Sequence, residues 1–443
     1  MKRIIAVILV LSLCLAATSC DLVDSIFGVK YSENQVAFAD EKMSVNYYSP
    51  RPDGYKEFTD KLDSFAAKLT AEVYKDSNKQ TNVCISPVSV YMALALATEC
   101  SNGETREELL NAVGVTYDEV KNFTKYLYAL SNREFYYRNP AGQRKTSAFE
   151  ELANSIWAEE SIKLNEQGVD NLATNFNCDL FSVNFKNGEG EKAINAYIKD
   201  KTHGMIDGGV ELSDRTLITL INTFYLKEIW NMFGNNLPYA EGTYQFTNAG
   251  GNVIETKLLR GYYSDGKVYE GKGYSSFYTE TYHGFKIKFI VPSEGHSLDE
   301  VFTAENLYEI NNIANYGKVD DANKILHYTR VFFPEYNASY DGDLMGILKN
   351  DFGINRMFDF DKCDFSNITD EQIACESVIH KCELKVDKKG IEGAAVTVVV
   401  GNGAAGPDEY EKVYHDFVID RAFGYIITDG DGVVLFSGVV NGI

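Results

Sequence analysis

Residues 401–406 read GNGAAG, a G-x-G-x-x-G behind the valine run Val398–Val400, and an acidic residue, Asp420, follows. Glycines at this spacing can bring a backbone against a pyrophosphate, and the acid can take a ribose hydroxyl. The context opposes that chemistry. A dinucleotide fold builds several βαβ units around its glycine turn; about forty residues follow Gly401 and no such units precede it. Pro407 stands directly after the third glycine, where a helix should be running, and proline removes a helix hydrogen bond or clashes there. The six histidines give no catalytic set either. His203, His283, His296, His327 and His415 have no motif around them, and His380 in its apolar strand reads as a satisfied core histidine. The cysteines Cys84, Cys100, Cys178, Cys363, Cys375 and Cys382 are scattered, without C-x-x-C or a histidine at ligand spacing, which argues against zinc. They read as buried free thiols. No metal and no cofactor is implied.

A different chemistry fits residues 390–400. From Gly390 the odd-numbered residues are Ile391, Gly393, Ala395, Thr397 and Val399; the even ones are Glu392, Ala394, Val396 and Val398. Successive side chains of a strand face opposite ways. The odd face is uncharged and mostly small, and Glu392 falls on the other. The stretch can slide into a sheet with its odd face over a core. The polar PDEYEK beyond it suits an exposed tip. An ordinary long hairpin loop is the bland alternative.

The elements that would receive such a strand are spread over 443 residues, 45% apolar and 13% aromatic, enough for a large core. The formal charge of −22 opposes direct binding to nucleic acid, which needs Lys and Arg on phosphates. Phe58, Leu62, Phe65, Leu69 and Val73 share one helical face. Val88–Ala97 reads as a buried helix, and another starts near Gly103 with Thr105 as its cap. Leu152–Trp157 and Phe181–Phe185 read as strands, Ala193–Lys201 as a helix, Thr216–Leu226 as a central strand and Met345–Asn350 as a short helix. Tyr- and Thr-rich alternation over 240–295 and again after Cys375 predicts antiparallel strands. Helices early and strands late, without βαβ alternation, predict an α+β class.

The first nineteen residues, with Lys2 and Arg3 before an apolar run from Ile4 to Ala17, read as a secretory signal peptide. The end of that stretch, Ala17-Thr18-Ser19-Cys20, resembles a bacterial lipoprotein box. By that resemblance Cys20 becomes the lipidated first residue, residues 20–55 a tether, and the chain an exported lipoprotein of a bacterial cell envelope that meets the membrane through its lipid only. Residues 56–443 are expected to form one domain.

Several segments in order resemble the serpin family, over roughly residues 58–443. NVCISPVSV (82–90) is similar to its N-x-x-x-SP-x-S segment, ANSIW (153–157) to its A-N-x-x-W/Y strand, and INAYIKDKTHGMI (194–206) to a helix and turn ending T-x-G-x-I. LINTFYLKEIW (220–230) looks like its central strand, SVIHKCELKVDKKGIEGAAVT (377–397) its S-x-V-x-H-K strand and hinge, and FVIDRAF and LFSGVV its closing strands. The resemblance implies three β-sheets, about eight or nine helices and an exposed reactive-centre loop. It implies a monomer that is not an enzyme but a suicide substrate. A serine protease attacks the loop, and the hinge, Gly390, Ile391, Glu392, Gly393, Ala394, Ala395, Val396 and Thr397, then enters the main sheet as a strand. The family's spacing from Gly390 puts the scissile bond between Ala404 and Ala405. A small residue before the cut suits a protease with a small primary pocket, elastase-like. The family's sheet-opening network carries over as Ser86, Ser89, Asn222 and His380.

The chain departs from the family at four places. Ile391 stands where Thr, Ser or Val is usual, so slower insertion is expected. Gly393 replaces an alanine. Lys388 stands where an acid is common, which is expected to loosen the top of the sheet. Ala422 replaces the proline of D-R-P-F. Ile391 and Lys388 sustain an alternative, a non-inhibitory surface binding or structural lipoprotein of the same fold.

Overall fold

The computed structural model describes residues 35–37, 50–138, 143–213, 216–230, 236–313, 316–391 and 410–443. In chain order the elements used below are Gln35–Ala37 (β1), Tyr55–Asp76 (α1), Val83–Ile85 (β2), Pro87–Cys100 (α2), Gly103–Val113 (α3), Tyr117–Leu130 (α4), Arg144–Glu159 (β3), Glu166–Phe176 (α5), Cys178–Val183 (β4), Glu189–Lys201 (α6) and Ile218–Ile229 (β5). There follow Tyr274–Glu280 (β6), Lys286–Pro292 (β7), Leu298–Val301 (α7), Ala304–Asn311 (α8), Ile325–Phe333 (β8), Tyr336–Asp343 (β9), Met345–Asn350 (α9), Ile379–Asp387 (β10), Gly390–Ile391 (β11), Glu411–Val418 (β12), Phe423–Thr428 (β13) and Val434–Val440 (β14). The class is α+β, with nine α-helices among the described residues.

The main sheet runs β1-β4-β3-β5-β11-β10-β9. A single parallel bridge, Ser339 to Val83, joins β9 to β2, and from β2 a second sheet runs β14-β13-β7-β6. A third sheet centres on β8, which pairs in parallel with β12 and antiparallel with Leu259–Asp265. β1 lies within the stretch expected to be tether, yet it pairs with β4.

Helix α1 forms because its apolar positions recur at helical spacing, and Phe58, Leu62, Phe65, Leu69 and Val73 are all buried. Helix α2 is apolar on every side, and all but one of its residues are buried between sheet and helices. Its start is fixed chemically: Pro87 fills the first turn, and the Ser86 side chain accepts from the Ser89 N–H. Helix α3 departs from the expected cap. Asn102 precedes it, and the Thr105 hydroxyl instead accepts from Asp364 N at 3.0 Å. The polar group serves a tertiary contact, so the local capping rule does not apply. Trp157 on β3 stacks on Phe181 of β4 at 4.0 Å, with Tyr197 of α6 edge-on, and roofs the outer strands.

The sheet is closed in an unequal way. Gly390 pairs with Ile229 of β5 and Asp387 of β10; Ile391 pairs with Glu228 and Val386. Beyond that, among the described residues, β5 is paired only with β3 and β10 only with β9. A Cβ on Gly390 would lie 1.9 Å from the Glu228 carbonyl oxygen, so only glycine fits between these strands. Gly390→Ala is expected to force the backbone apart and destabilise the protein by about 1–3 kcal/mol, the range of overpacked sites. Urea unfolding measures this, and an unchanged midpoint would refute the tight seat.

Candidate functional site

The hinge begins at a hairpin whose turn, Lys388–Lys389, joins β10 to β11. Four hydrogen bonds pin it. The Trp230 indole N–H donates to Asp387 O at 2.7 Å. Leu237 N donates to Lys388 O at 2.7 Å, Lys388 N to Glu335 Oε1 at 2.8 Å, and Lys389 N to Asp387 Oδ1 at 2.7 Å. The Lys388 backbone carries two of the four bonds, which any residue but proline would make there; they do not bear on the expected loosening by its side chain. Ile391 is fully buried. Its bulk is therefore already accommodated in the sheet, against the expectation that it has yet to enter. Across from it buried Glu228 shares a hydrogen bond with His283 Nδ1 at 2.9 Å, and burial raises the Glu228 carboxyl above its usual range. Glu392, Gly393, Ala394, Ala395, Val396, Thr397, Ala404, Ala405 and Cys20 lie outside the described residues.

Lower in the sheet the predicted polar residues meet. Ser86 and Ser89 come from the first turn of α2, Asn222 from β5 and His380 from β10. Ser86 N donates to His380 Nε2 at 3.1 Å. Because a backbone N–H can only donate, Nε2 accepts, and the proton of the neutral ring sits on Nδ1. Ser89 Oγ donates to Asn222 Oδ1, and Asn222 Nδ2 donates to Asn154 Oδ1. Asn154 Nδ2 completes the chain on Phe176 O at 3.0 Å. The line of bonds thus crosses from β3 to β10 through the first turn of one helix. Asn154 escaped the sequence reading, although it lies in the quoted ANSIW. The signal needed is register: Asn154 and Asn222 are antiparallel partners.

Between β5 and the start of β10, against α2, lies a cavity of about 20 Å³ lined by Ser89, Leu94, Leu220, Asn222, Val378 and His380. That is room for about one water. Among the described residues no group of three or more metal-ligating side chains gathers, and no helix is long and apolar enough to cross a membrane.

Among the described residues three large sheets, nine α-helices and a loop base seated as a strand between two others define an α+β fold. Residues 60–442 match the family model described as Serpin (serine protease inhibitor). The chain belongs to the serpin family. It is 29% identical over 357 residues to Serpin A3-7 of Bos taurus, covering 79% of this chain and 80% of that one. Its fold is similar to that of a thermophilic serpin, Tengpin, in the native state (TM-score 0.70, 22% identity, 92% of this chain and 100% of that one). It is also similar to that of thyroxine-binding globulin in complex with thyroxine (TM-score 0.69, 19% identity, 87% and 99%).

Burial alone lowers His380 to about 4, against 6.5 for the free side chain. The unfolded chain therefore binds the proton that the folded one refuses between those values. The His380 contribution to stability is fully present above pH 6.5 and is lost as pH falls towards 4, by about 3 kcal/mol in all. Buried Glu150, raised to about 8, and Asp63, raised to about 7, act with the opposite sign. The difference between wild type and His380→Gln isolates the term. That difference is expected to shrink steadily from pH 6.5 to 4 in urea unfolding; a flat difference refutes it.

Proposed function

We propose that this chain is a suicide-substrate inhibitor of serine proteases with a small primary pocket, elastase-like, acting by cleavage between Ala404 and Ala405 and insertion of Glu392–Thr397 into the main sheet. One observation carries the reading: Gly390–Ile391 is a strand between β5 and β10, which are otherwise unjoined to each other among the described residues.

The two registers can be continued downward. Each step along the loop moves one residue back on β10 and one back on β5, so residue numbers sum to 777 with β10 and to 619 with β5, as Ile391 does with Val386 and Glu228. Gly393 then falls opposite Leu384 and Leu226, Ala395 opposite Cys382 and Phe224, and Thr397 opposite His380 and Asn222. Directly paired residues share a face of the sheet. The uncharged odd set read from the sequence is therefore the set that faces these inner residues, and its hydroxyl arrives at the polar network. Glu392 falls on the other face.

The chain itself does no chemistry on the protease's substrates; it is a monomeric trap with no cofactor and no nucleic-acid partner. The N-terminal pattern supports export and anchoring through Cys20 to a bacterial cell envelope. The test is incubation of residues 21–443 with an elastase-like serine protease. A denaturation-resistant band at the summed mass is expected, with a C-terminal peptide beginning at Ala405 or a neighbour. Cleavage by a panel of such proteases without that band favours the non-inhibitory alternative.

Thr397→Arg brings a guanidinium against His380 and Asn222 on insertion, and a buried unpaired charge costs several kcal/mol. The variant is expected to be cut as a plain substrate. Undiminished one-to-one inhibition by it would refute insertion in this register.

A further inference from the structure

Two of the six buried cysteines are not scattered in space. Cys84 of β2 and Cys382 of β10 bring their sulfurs to 3.3 Å although 298 residues separate them, and neither is in a disulfide in this structure. A disulfide needs about 2.05 Å, so the two sulfurs stand little more than about an ångström outside bonding distance. The surroundings are buried. Tyr336 and Tyr425 lie beside the pair with rings 5.3 Å apart, and the Tyr336 hydroxyl is buried without a hydrogen-bond partner among the described residues. Cys100, Cys178, Cys363 and Cys375 are near enough to act on one another electrostatically, but no pair of their sulfurs approaches to hydrogen-bond distance. Position matters as much as distance. Cys84 lies two residues before Ser86 and Cys382 two after His380, so the sulfurs flank the Ser86–His380 hydrogen bond.

We propose that Cys84 and Cys382 are a modification site, a redox latch whose disulfide ties β10 to β2 and so to the first turn of α2. The oxidant is a low-molecular-weight disulfide such as glutathione disulfide. One cysteine, as thiolate, attacks a sulfur of the oxidant and expels one thiolate, leaving a mixed disulfide. The second, as thiolate, attacks the protein sulfur of that mixed bond and expels the other. Both protein protons end on the expelled thiolates, and the two electrons leave with them. Burial holds the Cys382 thiol well above its usual range, so the folded, closed protein reacts slowly. The bond is made while the chain folds or while the sheet stands open. Once made, it keeps Ser86 with His380. On the insertion proposed above, on which this one consequence rests, the contact left to break is Ser89–Asn222.

The full chain is isolated after folding in a glutathione redox buffer, alkylated under denaturing conditions, digested and mapped by mass. Expected are one cross-linked peptide pair containing Cys84 and Cys382, and alkylated Cys100, Cys178, Cys363 and Cys375. Reduction of the folded protein is expected to lower Tm by several degrees, with no such drop in Cys382→Ser. Alkylation of both Cys84 and Cys382 at every ratio of oxidised to reduced glutathione overturns the proposal. So does cross-linking to other cysteines. A cross-link whose reduction leaves Tm unchanged overturns the latch. None of these readouts involves a protease, so failure here is distinct from failure of the inhibitory reading.

Discussion

The arrangement of this protein depends on two strand edges that face each other without a ladder. Below Glu228 on β5 and below Val386 on β10, backbone donors and acceptors find no partner strand among the described residues. A buried backbone group left unpaired costs free energy comparable to a lost hydrogen bond, and an open edge is a template for another strand. The molecule manages this edge pair locally. It seats two residues of β11 at the top, pins their turn with Trp230, Leu237 and Glu335, and backs the gap with the apolar helix α2. The seat is tight enough to exclude even a methyl group at Gly390.

Lower down, the polar chain from Asn154 to His380 spans the same gap, but no side chain of β5 bonds directly to one of β10. Ser89 holds Asn222, Ser86 holds His380, and both serines belong to one helical turn. Separation of the strands therefore breaks one bond of two while α2 keeps the other. The ring of His380 must accept at Nε2 for this to hold, and burial keeps it neutral to about pH 4. A buried network is stable only when every member is satisfied. The same ring as imidazolium would point a second donor at the Ser86 N–H.

Local signals carried much of this into the sequence. The period of α1, the Pro87 and Ser86 start of α2 and the short helix Met345–Asn350 are contiguous patterns, and they stand where expected. The central strand begins at Ile218 and runs on to Ile229, past its expected end, because Lys227 and Glu228 are polar by type but lie in the β3 and β11 ladders. The pairs that tie the site together were not legible. Trp230 and Asp387 are 157 residues apart, His283 and Glu228 55, and Cys84 and Cys382 298. Nothing in either segment alone names its partner. Thr105 shows the opposite failure, a correct local rule displaced by a tertiary bond to Asp364.

The size pattern of the hinge has a physical reason in its partners. The inner face of β10 offers Val386, Leu384, Cys382 and His380, and that of β5 offers Glu228, Leu226, Phe224 and Asn222. Interiors are packed at crystal-like density, so strands that bring large side chains leave room only for small ones between them. Gly393 between Leu384 and Leu226, and Ala395 between Cys382 and Phe224, meet that requirement on the proposed register. Ile391 does not need to, because its neighbours are Val386 and Glu228, and the carboxylate of Glu228 is turned onto His283. A bulky residue at the first hinge position is thus no obstacle to a strand whose first two residues are already seated; on the proposed register the next polar contact along that path is the network of Asn222 and His380.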